Sequence, residues 1–220
     1  MAHTARLLGD RIRRPIAEAV QQAEEKTAAE FVPVIATTSD RYERAEDMVG
    51  LIFALIAVLI VGVVVGIGDD GVTAWLAITA LILSVIFGFI VGVLCSSQLR
   101  GLRRLFVSQQ RRYLAVSSRA RQVFVDRRVH QTAGGTGVVL FISLFERMGL
   151  VLADQAIKDH LSEGTLDDYS RRLTETLQSG GDVGDALVAV ISELGERLGE
   201  VLPRYEDDLN ELPDALVLLD

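Results

Sequence analysis

The chain has 220 residues, half of them apolar, and its mean hydropathy of +0.33 is high for a soluble protein. Charged residues make up 24%, too large a share for a protein built only of membrane spans, so the apolar residues must be concentrated in part of the chain. The net charge of −8 and the lack of a reading motif argue against nucleic-acid binding, and the single cysteine, Cys95, excludes an intramolecular disulfide.

A helix and a strand are predicted first along the chain. Pro15 precedes the amphipathic run IAEAVQQAEEKT, as suits the first turn of a helix. The β-branched run EFVPVIA, which begins at Glu30 and is followed by the turn residues TTSD, predicts a strand. Pro33 lies within this strand and has no N–H to donate. Either the strand is a sheet edge, or the nitrogen of Pro33 faces away from the hydrogen bonds of the ladder.

Two long apolar runs follow, over residues 49–68 and 72–95, and neither contains an ionisable side chain except Cys95. Each exceeds the roughly 18 residues that a helix needs to cross about 30 Å of hydrocarbon. The mostly polar residues 1–47 precede the first run, so it is not a cleaved secretory signal. The sequence therefore predicts an integral membrane protein with a two-helix transmembrane hairpin over residues 48–95.

The arginines predict the orientation of this hairpin. The short polar turn at Asp69–Gly71 has no base, whereas Arg41 and Arg44 precede the first run. Five more follow the second run: Arg100, Arg103, Arg104, Arg111 and Arg112. By the positive-inside rule both termini are cytoplasmic. We expect the five later arginines to contact anionic lipid headgroups. Alternatively, they only fix the topology and solvate a helix face.

Each predicted span contains two glycines four residues apart, a spacing that allows close approach of another helix. The pairs are Gly62 with Gly66 and Gly88 with Gly92. In an antiparallel hairpin the two pairs lie at different depths and cannot face each other. Either small residues such as Ala54 and Ala57 lie opposite them, or the glycines contact a second copy or a partner helix.

The residues after the second span predict one long helix with an apolar stripe from Leu99 to Phe124, continuous with that span. The stretch TGVVLFISLFERMGLVLAD, residues 136–154, predicts a β-hairpin. Helices are predicted near 155–160, over 165–179 and over 183–201, and the acidic tail is expected to pack partly against them. Residues 1–47 and 96–220 then form one split cytoplasmic α/β domain, with three strands covered by helices.

Four acids at predicted strand ends are candidate metal ligands: Glu30, Asp40, Glu146 and Asp154. If neighbouring strands bring such carboxylates together, their oxygens suit Ca²⁺ or Mg²⁺. Acids at strand ends are also ordinary turn and cap residues. The glycines of AGGTG precede a strand, unlike those of a phosphate-binding loop, and no nucleophile elbow is present. The sequence thus shows no catalytic constellation and no certain cofactor.

Three stretches carry a family resemblance: KTAAEFVPVIATTSDRYERAED, TGVVLFISLFERMGLVLADQAI and NELPD. Together they resemble the TPM domain, the family of a thylakoid lumen protein, and particularly a subgroup of bacterial membrane proteins with a transmembrane hairpin inserted in the domain. The resemblance covers nearly the whole chain and implies an α/β sandwich, with a small central sheet between helices, in the bacterial inner membrane. The chain departs from many relatives at Ala29, where they have glycine, and from close relatives at Met148-Gly149.

The resemblance implies less about function, because one fold hosts several activities. Members of the wider family have been linked to acid phosphatase activity, to divalent-cation binding and to assembly or repair of membrane complexes. We expect a non-catalytic accessory or assembly factor, whose partner is an unidentified membrane protein or a second copy. The alternative is a weak divalent-cation-dependent acid phosphatase that uses the strand-end carboxylates.

Overall fold

The computed structural model describes residues 2–40, 43–67, 74–98, 107–132, 134–204, 211–213 and 215–219. The chain divides into two compact units, Met1–Asp40 with Arg112–Asp220 and, between them, Arg41–Arg111. The first unit is therefore built from both ends of the chain, and the second contains both apolar runs. These boundaries lie several residues outside the predicted insertion at 48–95.

Helices make up most of the described residues, and three helices follow one another in two places. In chain order the elements are α1 Ala2–Glu24, β1 Glu30–Ala36, α2 Glu43–Ile67, α3 Ala74–Gln98, α4 Gln109–Asp126, a 3₁₀ turn Val129–Gln131, β2 Gly137–Ser143, β3 Met148–Ala153, α5 Gln155–His160, α6 Glu163–Ser179, α7 Val183–Val201 and β4 Val217–Leu219.

The four strands form one mixed sheet in the order β3-β2-β1-β4. β2 and β3 form the predicted antiparallel hairpin, and β1 pairs with β2 in parallel from Glu30 opposite Gly137 to Ala36 opposite Ser143. The neighbour of the hairpin is thus the strand that precedes the apolar runs. The short β4, which the sequence did not predict, adds a further parallel strand beside β1.

β1 has neighbours on both sides, so it is not an edge strand, and the other alternative applies to Pro33: its nitrogen faces away from the hydrogen bonds of the ladder. The N–H of Glu30 points toward β2, donating to Thr136 O at 3.1 Å, whereas the N–H of Thr37 points toward β4, donating to Leu219 O at 2.9 Å. Because successive N–H groups alternate along a strand, the nitrogen of Pro33 faces the β4 side. β4 pairs only with Val34 to Ala36, so the ladder does not lose a hydrogen bond at the proline.

Helices cover both faces of the sheet, as the predicted α/β sandwich requires. On one face, side chains such as Phe31, Ile35 and Leu140 pack against α1, α6 and α7. On the other face, side chains such as Val34 and Phe141 pack against α4. The α4 residues in this second core are Val116, Ala120 and Val123. Both faces of β1 and β2 are buried, which explains their nearly continuous apolar sequences.

α6 covers the outer edge of β3. Thr174 Oγ1 accepts a hydrogen bond from Gly149 N at 3.0 Å, and Ser170 Oγ accepts one from Val151 N at 2.9 Å. These hydroxyls take the place of a fifth strand and prevent the edge from pairing with another chain. A Cβ on Gly149 would lie 2.4 Å from Leu173 Cβ, so glycine is needed where α6 approaches the strand.

The second unit contains two helices long and apolar enough to cross a membrane. The apolar windows, Asp47–Gly66 and Ala74–Cys95, are only 17% and 11% buried. Their side chains therefore do not form the core of a water-soluble unit. The predicted turn at 69–71 lies outside the described residues.

Gly88 and Gly92 of α3, but not Gly62 and Gly66 of α2, lie at the contact between these helices. A Cβ on Gly88 would lie 2.8 Å from Ala57 Cβ, and one on Gly92 would lie 2.8 Å from Gly50 Cα. By contrast, added Cβ atoms on Gly62 and Gly66 meet nothing within 4 Å among the described residues. Small residues of α2 therefore lie opposite Gly88 and Gly92, and the two helices run antiparallel.

The predicted continuous helix from the second span to Phe124 is wrong. α3 ends at Gln98, Val107 and Ser108 are not helical, and α4 begins at Gln109. Only the later part of the predicted stripe, from Val116 onward, faces the core, and Tyr113 is exposed. The first three residues of the stripe, Leu99, Leu102 and Phe106, lie outside the described residues.

Candidate functional site

The sheet places the four candidate acids at the two opposite ends of its strands. Because β1 and β2 are parallel and β3 is antiparallel to β2, Glu30 and Asp154 lie at one end, while Asp40 and Glu146 lie at the other. Within the described parts of the chain, no group of three or more His, Cys, Asp or Glu residues is arranged to hold a metal ion. The structure therefore brings the acids together at most in pairs.

Glu30 is 6% exposed and holds the C-terminal tail. Its Oε1 accepts a hydrogen bond from Glu211 N and its Oε2 from Leu212 N, both at 3.2 Å. Nearby in the chain, the buried Glu24 plays a similar part, since its Oε1 accepts from Phe31 N at 2.9 Å. Hydrogen bonds to charged groups are the stronger ones in proteins. The start of β1 is thus fixed by carboxylates bound to the backbone.

Asp154, at the same end of the strands as Glu30, is the N-cap of α5. Its Oδ1 accepts a hydrogen bond from Gln155 N at 2.7 Å, which satisfies one of the free N–H groups of the first turn. β2 separates β3, which Asp154 follows, from β1, which begins at Glu30. The geometry of Asp154 is that of an ordinary helix cap.

Glu146, at the opposite end of the strands, is completely buried in the turn between β2 and β3. Its Oε1 accepts hydrogen bonds from Ser39 N at 3.0 Å and Thr38 Oγ1 at 3.4 Å, and its Oε2 accepts one from Ser143 Oγ. Arg147, the next residue, has φ of 50°, a left-handed conformation that closes the turn. The Glu146 side chain thereby ties this turn to the loop that follows β1.

The end of the sheet around Glu146 is rich in hydroxyl groups, which were not among the candidate residues predicted from the sequence. Besides Thr38 and Ser143, it carries Thr37 and Ser39, whose buried hydroxyl oxygens have no hydrogen-bond partner among the described residues. Asp40 is exposed there, and its backbone oxygen accepts from Thr38 Oγ1 at 3.0 Å. The sequence signal was the run TTSD directly after a strand. These oxygens are of the kind that bind Ca²⁺ or Mg²⁺, but the one buried carboxylate among them already accepts three hydrogen bonds.

Of the five arginines predicted at the membrane surface, Arg100, Arg103 and Arg104 lie outside the described residues. Arg111 is exposed in the first turn of α4, and Arg112 is half-buried. The basic character continues along the helix and just past its end, through Arg119, Arg121, Arg127 and Arg128. α4 and the residues just after it thus form a basic surface.

An ion pair joins α6 and α7, which pack on the face of the sheet opposite α4. The guanidinium of Arg172 in α6 donates two hydrogen bonds to the carboxylate of Glu193 in α7, at 2.5 and 2.7 Å. These bonds lower the pKa of Glu193 and raise the pKa of Arg172. Both side chains are nearly half exposed, so water and salt screen the pair. Asp185, Glu196 and Glu200 make the exposed side of α7 acidic.

Comparison with known proteins adds information about the fold alone. No family model and no curated protein matches this chain. A solved structure that it resembles is the NMR structure of BA42 protein from the psychrophilic bacterium Bizionia argentinensis, with a TM-score of 0.56 and 16% sequence identity over 94% of this chain and 92% of that one. At this identity the likeness extends to the α/β architecture and not to an activity.

Proposed function

We propose that this protein is a membrane-anchored TPM-domain protein of the bacterial inner membrane that acts as a non-catalytic accessory or assembly factor for a membrane complex. The observation that carries the proposal is the place of the apolar helices: they are inserted between β1 and β2, neighbouring strands of one sheet. A domain interrupted in this way is attached to the membrane helices at two points, so it binds its partner close to the membrane.

The exposed side chains of α2 and α3 support a membrane location. Trp75 is 77% exposed and Phe87 is 70% exposed, in helices whose outer surfaces are formed largely by Leu, Ile and Val. Exposing such a surface to water costs about 25 cal/mol for each Å². Lipid removes that cost, and the arginines that flank the apolar runs in sequence favour cytoplasmic termini.

The candidate carboxylates support a non-catalytic domain. Glu30, Glu146 and Asp154 each accept hydrogen bonds from backbone N–H groups, in contacts that fix the tail, a turn and a helix start. Such contacts give each acid a structural role. On this account the acidic exposed side of α7 meets the membrane partner, and recognition rather than hydrolysis is the task of the domain.

Affinity purification of the full-length protein from native membranes in mild detergent tests the proposal. We expect a defined membrane protein to co-purify, and we expect Glu196→Lys combined with Glu200→Lys to reduce its recovery. Ser179→Ala, an exposed change at the end of α6, is the matched control and should leave recovery unchanged. Recovery no greater than that obtained with an unrelated two-span protein would contradict the proposal.

A phosphomonoester assay separates this proposal from the phosphatase alternative. The full-length protein in detergent would be assayed with Mg²⁺, with Ca²⁺ and with a chelator. We expect no cation-dependent hydrolysis. Cation-dependent turnover that Glu30→Ala or Asp154→Ala abolishes, while each variant keeps its fold by circular dichroism, would favour the hydrolase instead.

A further inference from the structure

α4 presents an unusual outward face. Leu114, Ser118, Arg121 and Val125 are spaced by four, three and four residues and therefore form one stripe along the helix. The buried residues Val116, Ala120 and Val123 form the opposite stripe, which packs on the sheet. The outward stripe is thus free of any role in this core.

The apolar members of the outward stripe are well exposed. Leu114 is 59% exposed and Val125 is 58% exposed, and eleven residues of helix place them about 16 Å apart. Tyr113, the residue before Leu114, is also exposed but points to a different side of the helix. Arg121 lies between the two apolar residues in the stripe, and the exposed Arg111 lies one turn before Leu114. The surface combines basic groups with separate apolar side chains.

The charge around this face has one sign. Between residues 107 and 132 there are six arginines and one acid, Asp126. None of these arginines makes an ion pair with another residue in the part of the chain that the structure describes; the side-chain contact of Arg119 is a hydrogen bond to Gln122 Oε1 at 2.8 Å. The exposed guanidinium groups of Arg111 and Arg121 are therefore available to an anionic partner.

We propose that the outward face of α4 lies on the anionic headgroups of the bilayer, with Arg111 and Arg121 on lipid phosphates and Leu114 and Val125 entering the interface. The inference rests on the membrane anchoring proposed above. A guanidinium matches a phosphate with two parallel hydrogen bonds, and shallow apolar side chains add burial at the acyl boundary. Arginines that served only to fix topology would not need apolar neighbours on the same helix face.

Depth-dependent quenching in reconstituted bilayers tests the inference on the full-length protein. In a Cys95→Ser background, a fluorophore is attached at Ser118→Cys on the outward stripe. The matched control is Ser179→Cys, exposed at the end of α6, which packs on the other face of the sheet. A third label at Val64→Cys, exposed on α2, reports insertion of the apolar hairpin. Brominated lipid is the quencher.

We expect quenching at position 118 to exceed that at position 179 at least twofold when about a third of the lipid is anionic, and to fall in neutral bilayers or high salt. Arg111→Gln with Arg121→Gln should reduce quenching at 118 to the level at 179. Arg171→Gln with Arg197→Gln, which removes the same charge from α6 and α7, should not. Leu114→Ser with Val125→Ser should reduce it by about half.

The outcomes separate this inference from the proposed function. Strong quenching at position 64 with equal quenching at 118 and 179 overturns the headgroup contact and leaves the membrane anchoring intact. Weak quenching at position 64 contradicts the anchoring itself. Protection of position 118 from a water-soluble thiol reagent in native membranes, without quenching in bilayers, assigns the face to a protein or nucleic acid and also overturns the inference.

Discussion

The carboxylate of Glu146 accepts a hydrogen bond of 3.0 Å from the backbone N–H of Ser39, a residue 107 positions earlier in the chain. The contact joins the segment before the apolar helices to the segment after them. It lies at the end of the strands from which the chain leads into α2. Insertions are tolerated when the two ends of the interrupted chain lie close together. The Glu146–Ser39 contact fixes the first of these ends, the segment from which the chain leaves the domain.

Replacement of Glu146 should weaken the split domain. Glu146→Gln keeps one acceptor oxygen but places an NH₂ group against buried donors, so we expect a loss of about 1–3 kcal/mol in the free energy of unfolding. Hydrogen exchange of peptides from β1 and β2, measured by mass spectrometry in detergent, gives this value. Glu200→Gln, on the exposed side of α7, should stay within about 0.5 kcal/mol of the parent protein. Equal exchange in the two variants would remove Glu146 from this role.

Glu30 should control the tail more than the body of the domain. Glu30→Ala removes both acceptors for Glu211 N and Leu212 N, so residues 211–219 should exchange their amide hydrogens much faster, while α6 and α7 stay protected. Limited proteolysis should cut the variant after Arg204 first. Asp154→Ala, at the same end of the strands, should speed amide exchange at the start of α5 and leave the exchange of the tail unchanged. Unchanged protection of Val217–Leu219 in Glu30→Ala would contradict the anchor.

Gly149 should tolerate no side chain. A Cβ there would meet Leu173 Cβ at 2.4 Å, so Gly149→Ala must displace α6 from the edge of β3, at a loss of about 1–3 kcal/mol. Gly164→Ala is the matched control, because its added Cβ would come no closer than 3.8 Å, to Ser162 Oγ. We expect that variant to be neutral or slightly stabilised. Similar thermal unfolding midpoints for both variants would argue against the tight α6–β3 contact.

The two glycine pairs of the apolar helices should behave differently. Gly92→Leu would force α2 and α3 apart, since its Cβ would lie 2.8 Å from Gly50 Cα, whereas Gly66→Leu meets open space. Spin labels at Leu55 and Ile90 should report a longer and broader distance only in the Gly92 variant. A shift in Gly66→Leu instead would indicate that the first pair also lies at a helix contact.

Local patterns were enough to predict most of the elements. The alternating and β-branched runs predicted β1, β2 and β3, and composition alone predicted two span-length helices. β4 was missed because Val217–Leu219 is too short to show a period, and its strand conformation depends on β1 beside it. The sequence left two alternatives at Pro33, and the second applies because a central strand accepts proline where its neighbour on that side is short.

The candidate site depended on contacts that no local pattern reveals. The sequence offered the strand-end acids as metal ligands or as ordinary turn and cap residues, but it did not show that Glu30 and Glu146 lie at opposite ends of the strands, as they do because β1 and β2 run parallel. Their partners are backbone groups far away in sequence, at 211–212 and at 39. Likewise, the arginines of α4 were visible in the sequence, whereas the exposed Leu114 and Val125 beside them emerged only once the buried stripe of the helix was known.

We propose that the split domain is held on the cytoplasmic side of the membrane by its own apolar helices. Labelling of single cysteines with a membrane-impermeant thiol reagent, in a Cys95→Ser background, tests this proposal. We predict that Asp70→Cys, in the turn between the apolar runs, reacts in intact cells whose outer barrier has been removed, and that Ser179→Cys reacts only after the membrane is permeabilised. Reaction of Ser179→Cys in intact cells, or recovery of the protein in the soluble fraction, would contradict the account.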